Sequence, residues 1–425
     1  MERVLEVQEL EEVNGRWRAI GVLALVGLVL GLGGCTSTYP TVEVEEEVVP
    51  LQAAQVDLPE QELLDVRIAV LDPGELPRSE DQARGLSDDI REAESRYMAV
   101  ELRNAMEQSG YWGAVRVVPD ASPGDEVLIT GEIIESNGEE LTLQISATDA
   151  TGEKWFTDEF DGAVDIDMYD EARAEQRPVF GNVYNDIANR ITQHRNKLTP
   201  AEIARIRATA ELRFAEDIAP DTFEGYVINN PRKGTYQLDR LPAKDDEMLM
   251  RVQRIRGRDA MLVDRLDAHY TGLYREMKDD EYFSWRKSRL QEMNMIREVD
   301  KEKNQQMAQG VALILAGAAM AAAGANTSDE SLSAAMDTMA VSTAAIGVVG
   351  VVNAQQISQQ ADINKAALEE LGESFSGDAA AMVMEVEGET VELTGSAEEQ
   401  YAQWREVLKD LHRVKTTGEN GDPAP

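Results

Sequence analysis

The sequence predicts an α+β fold, in which a domain of mixed strands and helices precedes a mostly helical region. Between residues 63 and 197, short apolar runs separated by turn dipeptides alternate with helical periodicity, which is typical of strands packed beside helices. From 198 to 306 helical periodicity dominates, and it begins with the capping sequence Thr199-Pro200-Ala201-Glu202. Two Ala- and Gly-rich runs within 307–372 predict a helical hairpin.

The elements of the first domain follow from its turn and cap signals. Asp72-Pro73-Gly74 closes a buried strand over 66–71, and Ser87 and Gly110 bound a helix as its N-cap and its C-terminal stop. Asn137-Gly138 is a strong hairpin-turn dipeptide. The other predicted elements are strands at 114–118, 126–135, 141–146 and 154–157, a turn at Thr151-Gly152, and a closing helix over 179–195.

The helical region is interrupted by Pro220 and by several breakers within 226–241, a stretch that we expect to be irregular. Helices are predicted over 245–277 and 281–306. Their aromatic side chains are expected to be packing residues, namely Tyr270, Tyr274, Tyr282, Phe283 and Trp285. The remaining predicted segments are a β-hairpin and a C-terminal helix within 373–415, and a disordered tail at 416–425.

Small residues recur regularly in the Ala- and Gly-rich hairpin. The glycines of its two runs are Gly310, Gly317, Gly324, Gly347 and Gly350, and the first three lie seven residues apart. Small residues on one helix face let two backbones approach closely. The pair of runs resembles a glycine-zipper hairpin of envelope lipoproteins. Both runs are shorter than a membrane span of ~20 residues. Two alternatives therefore stay open: a soluble or oligomerising hairpin, or one that enters a membrane.

Four local patterns of the first domain carry a resemblance to a known family. They are the opening strand Ile68–Leu71, the helix end Leu102–Gly110, the strand Leu128–Glu132, and the hairpin Asp149–Trp155 with Asp161-Gly162. In this order they resemble the N-terminal α/β domain of the translocation protein TolB. That domain is shared with curli-secretion (CsgG-like) lipoproteins and an outer-membrane activator of peptidoglycan synthesis. The resemblance covers about a third of the chain and implies a TolB-like domain over 63–197 that docks a periplasmic protein.

The first 34 residues have the pattern of a secretion signal. An apolar run over 19–31 leads into Leu32, Gly33, Gly34 and Cys35, and Cys35 is the one cysteine of the chain. The run has the length of a signal-peptide core and is shorter than the ~20 residues of a spanning helix. The four residues resemble the lipobox of bacterial lipoproteins. The alternative is an uncleaved N-terminal anchor that contains an ordinary cysteine.

The lipobox implies cleavage after residue 34 and covalent lipid, a diacylglycerol and an N-acyl chain, on Cys35. No other cofactor is expected. Two or more acyl chains hold a protein firmly to a bilayer, at ~0.8 kcal/mol per buried methylene. By resemblance to lipoprotein sorting in Gram-negative bacteria, Thr36 after the cysteine favours the outer membrane, with the protein facing the periplasm. Residues 35–62 are acidic and contain prolines, so we expect an extended tether.

Acidic side chains outnumber basic ones, 80 to 41, and removal of residues 1–34 leaves 75 and 38. This charge disfavours nucleic acid and anionic membrane surfaces as general partners. It is typical either of a solvated surface in a salt-adapted organism or of a protein with a basic or metal-screened partner. Five acids precede Val13, where a secretion signal is normally positive, so we expect translation to begin near Val13.

The sequence predicts no catalytic or metal site. His194, His269 and His412 lie far apart beside charged residues, and we expect them at the surface. Lipidation uses the only thiol, no Gly-rich segment continues into Lys-Ser or Lys-Thr, and no Asp-x-Asp-x-Asp-Gly loop predicts calcium. We therefore expect no enzymatic activity and no small-molecule substrate, with an enzyme of unrecognised site as the least favoured alternative.

Binding and scaffolding are the functions that remain. We expect a lipid-anchored scaffold or docking module for outer-membrane or periplasmic assembly or secretion, with a periplasmic protein partner and a tendency to form a homo-oligomer. The alternative is an activator of peptidoglycan synthesis that binds a penicillin-binding protein. A free tether of ~25 residues reaches at most ~80 Å, which argues mildly against that alternative.

Overall fold

A five-stranded mixed sheet with helices packed against it forms the first part of the chain. The computed structural model describes residues 44, 47–78, 86–170, 177–243, 245–279, 281–322, 379–386 and 388–418. The chain divides into two units, Met1–Thr41 with Gln291–Ile363, and Val42–Leu290 with Asn364–Pro425. All elements below belong to the second unit, except the part of the longest helix that begins at Gln291.

The sheet combines a parallel and an antiparallel half. Its elements in chain order are β1 (Val66–Ala69), α1 (Asp88–Ser109), β2 (Val115–Val118), β3 (Val127–Ser136), β4 (Glu140–Asp149) and β5 (Lys154–Ala163). The strand order is β2-β1-β3-β4-β5. Strand β1 is parallel to both of its neighbours, and β3, β4 and β5 form an antiparallel meander. The predicted α+β class is confirmed.

One face of the sheet carries the core. Alternate residues of β4 are buried, as its period-two sequence requires, and β4 contacts the next helix, α2 (Gly181–Arg195). Helix α1 packs on β1, β2 and β3. The caps of α1 are those predicted: Ser87 Oγ accepts from Ile90 N at 3.2 Å, and Gly110 ends the helix in a left-handed conformation. Asn137-Gly138 forms the β3–β4 turn.

Helices make up most of the second half. The elements are α3 (Pro200–Ile218), α4 (Pro220–Phe223), β6 (Val227–Asn230), β7 (Thr235–Leu238), α5 (Glu247–Asp279), α6 (Glu281–Ala322), β8 (Met382–Val386), β9 (Glu389–Leu393) and α7 (Ala397–Gly418). The predicted capping box is present, because Thr199 and Glu202 each accept a backbone hydrogen bond from the other. The predicted C-terminal hairpin and helix are also present, and α7 includes residues 416–418 of the predicted tail.

The stretch 226–241, predicted to be irregular, is instead the β6–β7 hairpin. Its turn closes where Lys233 N and Gly234 N donate to Asn230 O. The hairpin packs on the turn between β4 and β5, since Tyr236 N donates to Thr151 O at 2.7 Å. The helix-breaking residues of this stretch therefore form a tight turn. The two strands are short and have little strand-forming pattern in their sequence, and the long-range contact with the β4–β5 turn stabilises them.

Helix α5 covers the edge of the sheet at β2. Val117 N donates to Asp267 Oδ1 at 2.8 Å, and Arg116 Nε lies 2.7 Å from Asp264 Oδ1. Asp267 thus provides an acceptor for a backbone N–H at the edge of the sheet, and Asp264 forms an ion pair with a side chain of the same strand. The predicted boundary at 197/198 is thus a change of secondary structure, while the two regions pack together within the second unit.

Helix α6 continues past the predicted end of its polar part. It runs without interruption from Glu281 to Ala322, so the first Ala- and Gly-rich run as far as residue 322 extends this helix. The rest of the predicted hairpin lies outside the described residues. Among the helices that the structure describes, none contains a stretch long and apolar enough to cross a bilayer.

Candidate functional site

Two of the residues predicted to form functional sites lie in the described part of the chain. Gly310 and Gly317 are both within α6. The other predicted residues lie outside the described ranges: Leu32, Gly33, Gly34, Cys35, Gly324, Gly347 and Gly350. The polar clusters of the second unit are formed by side chains for which the sequence predicts no catalytic or ligand-binding role.

The histidines are packing residues where the structure describes them. His194 stacks on Trp155 with ring centroids 4.6 Å apart, and burial lowers the pKa of His194. His269 tilts against Tyr270 at 5.8 Å, and burial lowers its pKa too. Both are half-buried, so each ring is packed on one side and partly exposed on the other; the side chain of His412 lies outside the described residues. Within the described ranges, no group of three His, Cys, Asp or Glu residues is arranged to hold a metal ion.

The pattern at the β4–β5 hairpin has a structural role. Asp149 Oδ1 accepts from Thr151 N at 2.8 Å, and Asp149 Oδ2 accepts from Trp155 Nε1 at 2.9 Å. One carboxylate therefore fixes the turn and orients the buried tryptophan. Its hydrogen-bonding capacity is used within the hairpin, which argues against a catalytic role for it.

A buried polar cluster joins α1 to α5 and α6. Its members are Glu94, Tyr97, Glu101, Ser136, Tyr274, Tyr282 and Arg286. The hydroxyls of Tyr97 and Tyr274 donate to Glu101 Oε1 at 3.1 and 3.0 Å. The hydroxyl of Tyr282 donates to Glu94 Oε1 at 2.7 Å. Arg286 Nη2 donates to Ser136 Oγ at 2.8 Å and lies 3.7 Å from Glu94 Oε1.

Burial controls the ionisation of this cluster. It raises the pKa of Glu101 above its usual value, although hydrogen bonds from Tyr274 and Tyr97 oppose the rise. It also raises the pKa of Tyr97 and of Tyr282. The cavity beside the cluster measures about 20 Å³, which is room for one water molecule. The cluster is therefore too closed for an organic substrate, and it fastens the helical region to the sheet domain.

A second arrangement lies on α2, where the segment 47–55, the strap, runs along the helix. Three asparagines at i, i+3 and i+7 form the asparagine ladder: Asn182, Asn185 and Asn189. Asn182 accepts from Val49 N at 2.7 Å and donates to Glu47 O at 2.9 Å. Asn185 Nδ2 donates to Val49 O at 2.9 Å.

The third asparagine repeats the pattern further along the strap. Asn189 accepts from Gln52 N at 2.7 Å and donates to Pro50 O at 3.0 Å. Beyond the ladder, Ala54 N donates to Ser109 O at 2.8 Å. The strap thus belongs to the folded unit, and the tether predicted over 35–62 is fixed from Glu47 onward. The prediction missed this because the prolines and glutamates of 35–62 indicate an extended tether, while the binding partners lie on a distant helix.

A surface cavity of about 350 Å³ opens beside the start of the strap. It is lined by apolar side chains and by several charged ones, among them Asp161, Asp165, Asp167, Asp186 and Arg177. Asp165 also caps a short 3₁₀ turn by accepting from Asp167 N at 2.8 Å. An acidic surface therefore lies beside the N-terminal end of the strap.

Comparison with known proteins gives no assignment. A scan against protein-family models found no match for this chain, and neither did a search of curated proteins. The function is therefore argued from the residues and from the geometry of the second unit.

Proposed function

We propose that this chain is a lipid-anchored docking module of the bacterial envelope, with a TolB-like domain that binds a periplasmic protein close to the outer membrane. The lipobox residues Leu32 to Cys35 support the anchor. The five-stranded mixed sheet, with the β4–β5 hairpin held by Asp149 and Trp155, is compatible with the TolB-like pattern. Scaffolding in assembly or secretion is the activity proposed, and no chemical reaction is part of it.

The observation that carries the proposal is the strap. Glu47, where the asparagine ladder first holds the chain, lies twelve positions after Cys35. A peptide of this length spans at most ~40 Å, about half the reach of the ~25-residue tether inferred from sequence. A lipidated chain with a closed strap therefore works near the bilayer. A short reach suits docking at the membrane better than activation of a synthase across the cell wall.

In-cell crosslinking tests the proposed function. Photo-crosslinking residues are placed at two exposed positions on different elements, Thr130 of β3 and Arg254 of α5. We expect crosslinks to components of outer-membrane assembly or secretion, concentrated at one of the two positions. Crosslinks to a penicillin-binding protein instead would overturn the docking role in favour of synthase activation. Crosslinks only to cytoplasmic proteins would contradict both.

A further inference from the structure

The asparagine ladder recognises the strap through its backbone. All five hydrogen bonds between ladder and strap end on strap N–H or C=O groups. An asparagine amide both donates and accepts, so Asn182 and Asn189 each bridge two peptide groups of an extended chain. Binding of the strap therefore depends on its extended conformation and on α2, and little on the identity of the strap side chains.

The strap contributes no side chain to the core. Val49, Leu51 and Ala54 are half-buried, and the other residues from 47 to 55 are exposed. The chain reaches the core only at Leu64, which is 0% exposed. The strap is held by one exposed and four part-buried hydrogen bonds, and none of its side chains is fully buried. A segment held in this way opens locally, at lower free energy than the domain it covers. Opening of the strap would leave the sheet and its helices intact.

We propose that the strap is a latch that sets how far the domain stands from the membrane. When it is closed, the domain is held within the ~40 Å that residues 35–47 can span. When it is open, the first fixed point is Glu60, whose carbonyl accepts from Arg207 Nη1 at 3.1 Å. Glu60 lies 25 positions after Cys35, a stretch that spans up to ~80 Å, so release of the latch doubles the maximum reach. The consequence for reach rests on the proposed function, because it requires the lipid on Cys35.

Hydrogen exchange on the full chain in detergent micelles tests the latch itself. The test variant is Asn182→Ala/Asn185→Ala/Asn189→Ala, and the control is Gln193→Ala, an exposed position on the same helix. In the unaltered protein we expect strap amides to exchange more slowly than unstructured peptide and faster than β3 and β4. The triple variant should lose protection at the strap amides that the ladder binds, Val49 and Gln52, by at least ~10-fold, with β3, β4 and the control unchanged.

A single substitution should reduce the hydrogen-exchange protection of the strap by an intermediate amount. Asn189→Asp keeps the acceptor for Gln52 N and removes the donor to Pro50 O, so strap protection should fall between the unaltered protein and the triple variant. Three results would overturn the latch: strap amides without protection in the unaltered protein, full protection in the triple variant, or loss of protection in strap and sheet together. The last result would mean that the strap is an integral part of the fold.

The height of the domain above a supported bilayer, measured by neutron reflectometry on lipidated protein, tests the consequence. The triple variant should place protein density further from the bilayer than the unaltered protein and the Gln193→Ala control do. Equal height profiles would overturn control of reach by the latch. Protein that fails to bind the bilayer refutes the proposed anchor, while the exchange result still decides whether the strap opens.

Discussion

Asp125 shows how single buried acids act in this strongly acidic protein. Its side chain, just before β3, is 8% exposed, and Arg67 Nε lies 3.9 Å from its Oδ1. Its Oδ2 accepts from Ser122 N at 2.7 Å. Burial raises the pKa of Asp125 to about 6, and the hydrogen bond from Ser122 opposes the rise. The folded protein therefore binds this proton more tightly than the unfolded chain does.

We expect replacement of the Asp125 carboxyl by an amide to stabilise the protein, and the gain in stability to increase as pH rises. A raised pKa in the folded state means that the stabilising contribution is present at low pH and is lost as pH rises from about 4 through 6. Asp125→Asn keeps an acceptor for Ser122 N and does not ionise. We expect the free energy of unfolding of the variant, relative to the unaltered protein, to rise by about 2 kcal/mol between pH 4 and pH 8.

Urea denaturation over that pH range makes the measurement. Asp120→Asn, which removes one exposed acid nearby, corrects for the change in net charge. A stability difference between Asp125→Asn and the unaltered protein that stays constant with pH would contradict the raised pKa of Asp125.

At the residue scale, the role of a polar side chain can be predicted from sequence when its hydrogen-bond partner lies only a few positions away along the chain. Asp149, Thr151 and Trp155 stand out as a pattern because they bond to each other within a single hairpin. The ladder asparagines bond to residues 133 to 139 positions away, so no local pattern identifies their role. Their i, i+3, i+7 spacing on one helix face was the only available signal.

At the scale of elements, the β6–β7 hairpin is held by a close approach of two turns. Gly152, in the β4–β5 turn, has φ +77°, and a Cβ there would lie 2.0 Å from the carbonyl oxygen of Gly234. Gly225, which precedes β6, has the same φ and no atom within 4 Å of such a Cβ. Alanine at Gly225 therefore introduces backbone strain alone, whereas alanine at Gly152 also disturbs the contact between the two hairpins.

Alanine at these glycines should destabilise the protein to different degrees. Gly225→Ala adds only the left-handed strain of a residue with a Cβ, about 1 kcal/mol. Gly152→Ala adds the same strain and forces the β6–β7 turn away, for a further ~1–3 kcal/mol. Chemical denaturation of both variants measures the difference. Equal losses of stability would show that the hairpins do not pack as described.

The elements that could be predicted are those with local signals. The Ser87 cap, the Asn137-Gly138 turn and the Thr199–Glu202 capping box each specify an element end through neighbours a few residues away. The β6–β7 hairpin and the fixed strap could not be predicted, because distant surfaces stabilise them. Helix α6 runs unbroken from its polar part into the first Ala- and Gly-rich run as far as Ala322, and the helical periodicity of both segments indicated this.

At the scale of the molecule, the fold class was predictable and the candidate site was not. Alternation of short strands with helices indicates the α+β class, and the sheet confirms it. The polar cluster of Glu94 and Glu101 joins elements from both halves of the unit, and it emerges only once they are packed. The proposed role combines two features: an anchor read from the first 35 residues and a strap that limits how far the anchored body can move.

Intact-mass spectrometry of the protein made in its native host tests the lipid anchor most directly. We expect a mature chain that begins at Cys35 and carries a diacylglycerol and an N-acyl chain. Treatment of the host cells with a lipoprotein signal peptidase inhibitor while the protein is made should leave the leader attached. A chain that retains its leader without inhibitor, with an unmodified Cys35 thiol, would contradict the anchor and with it the membrane-proximal docking role.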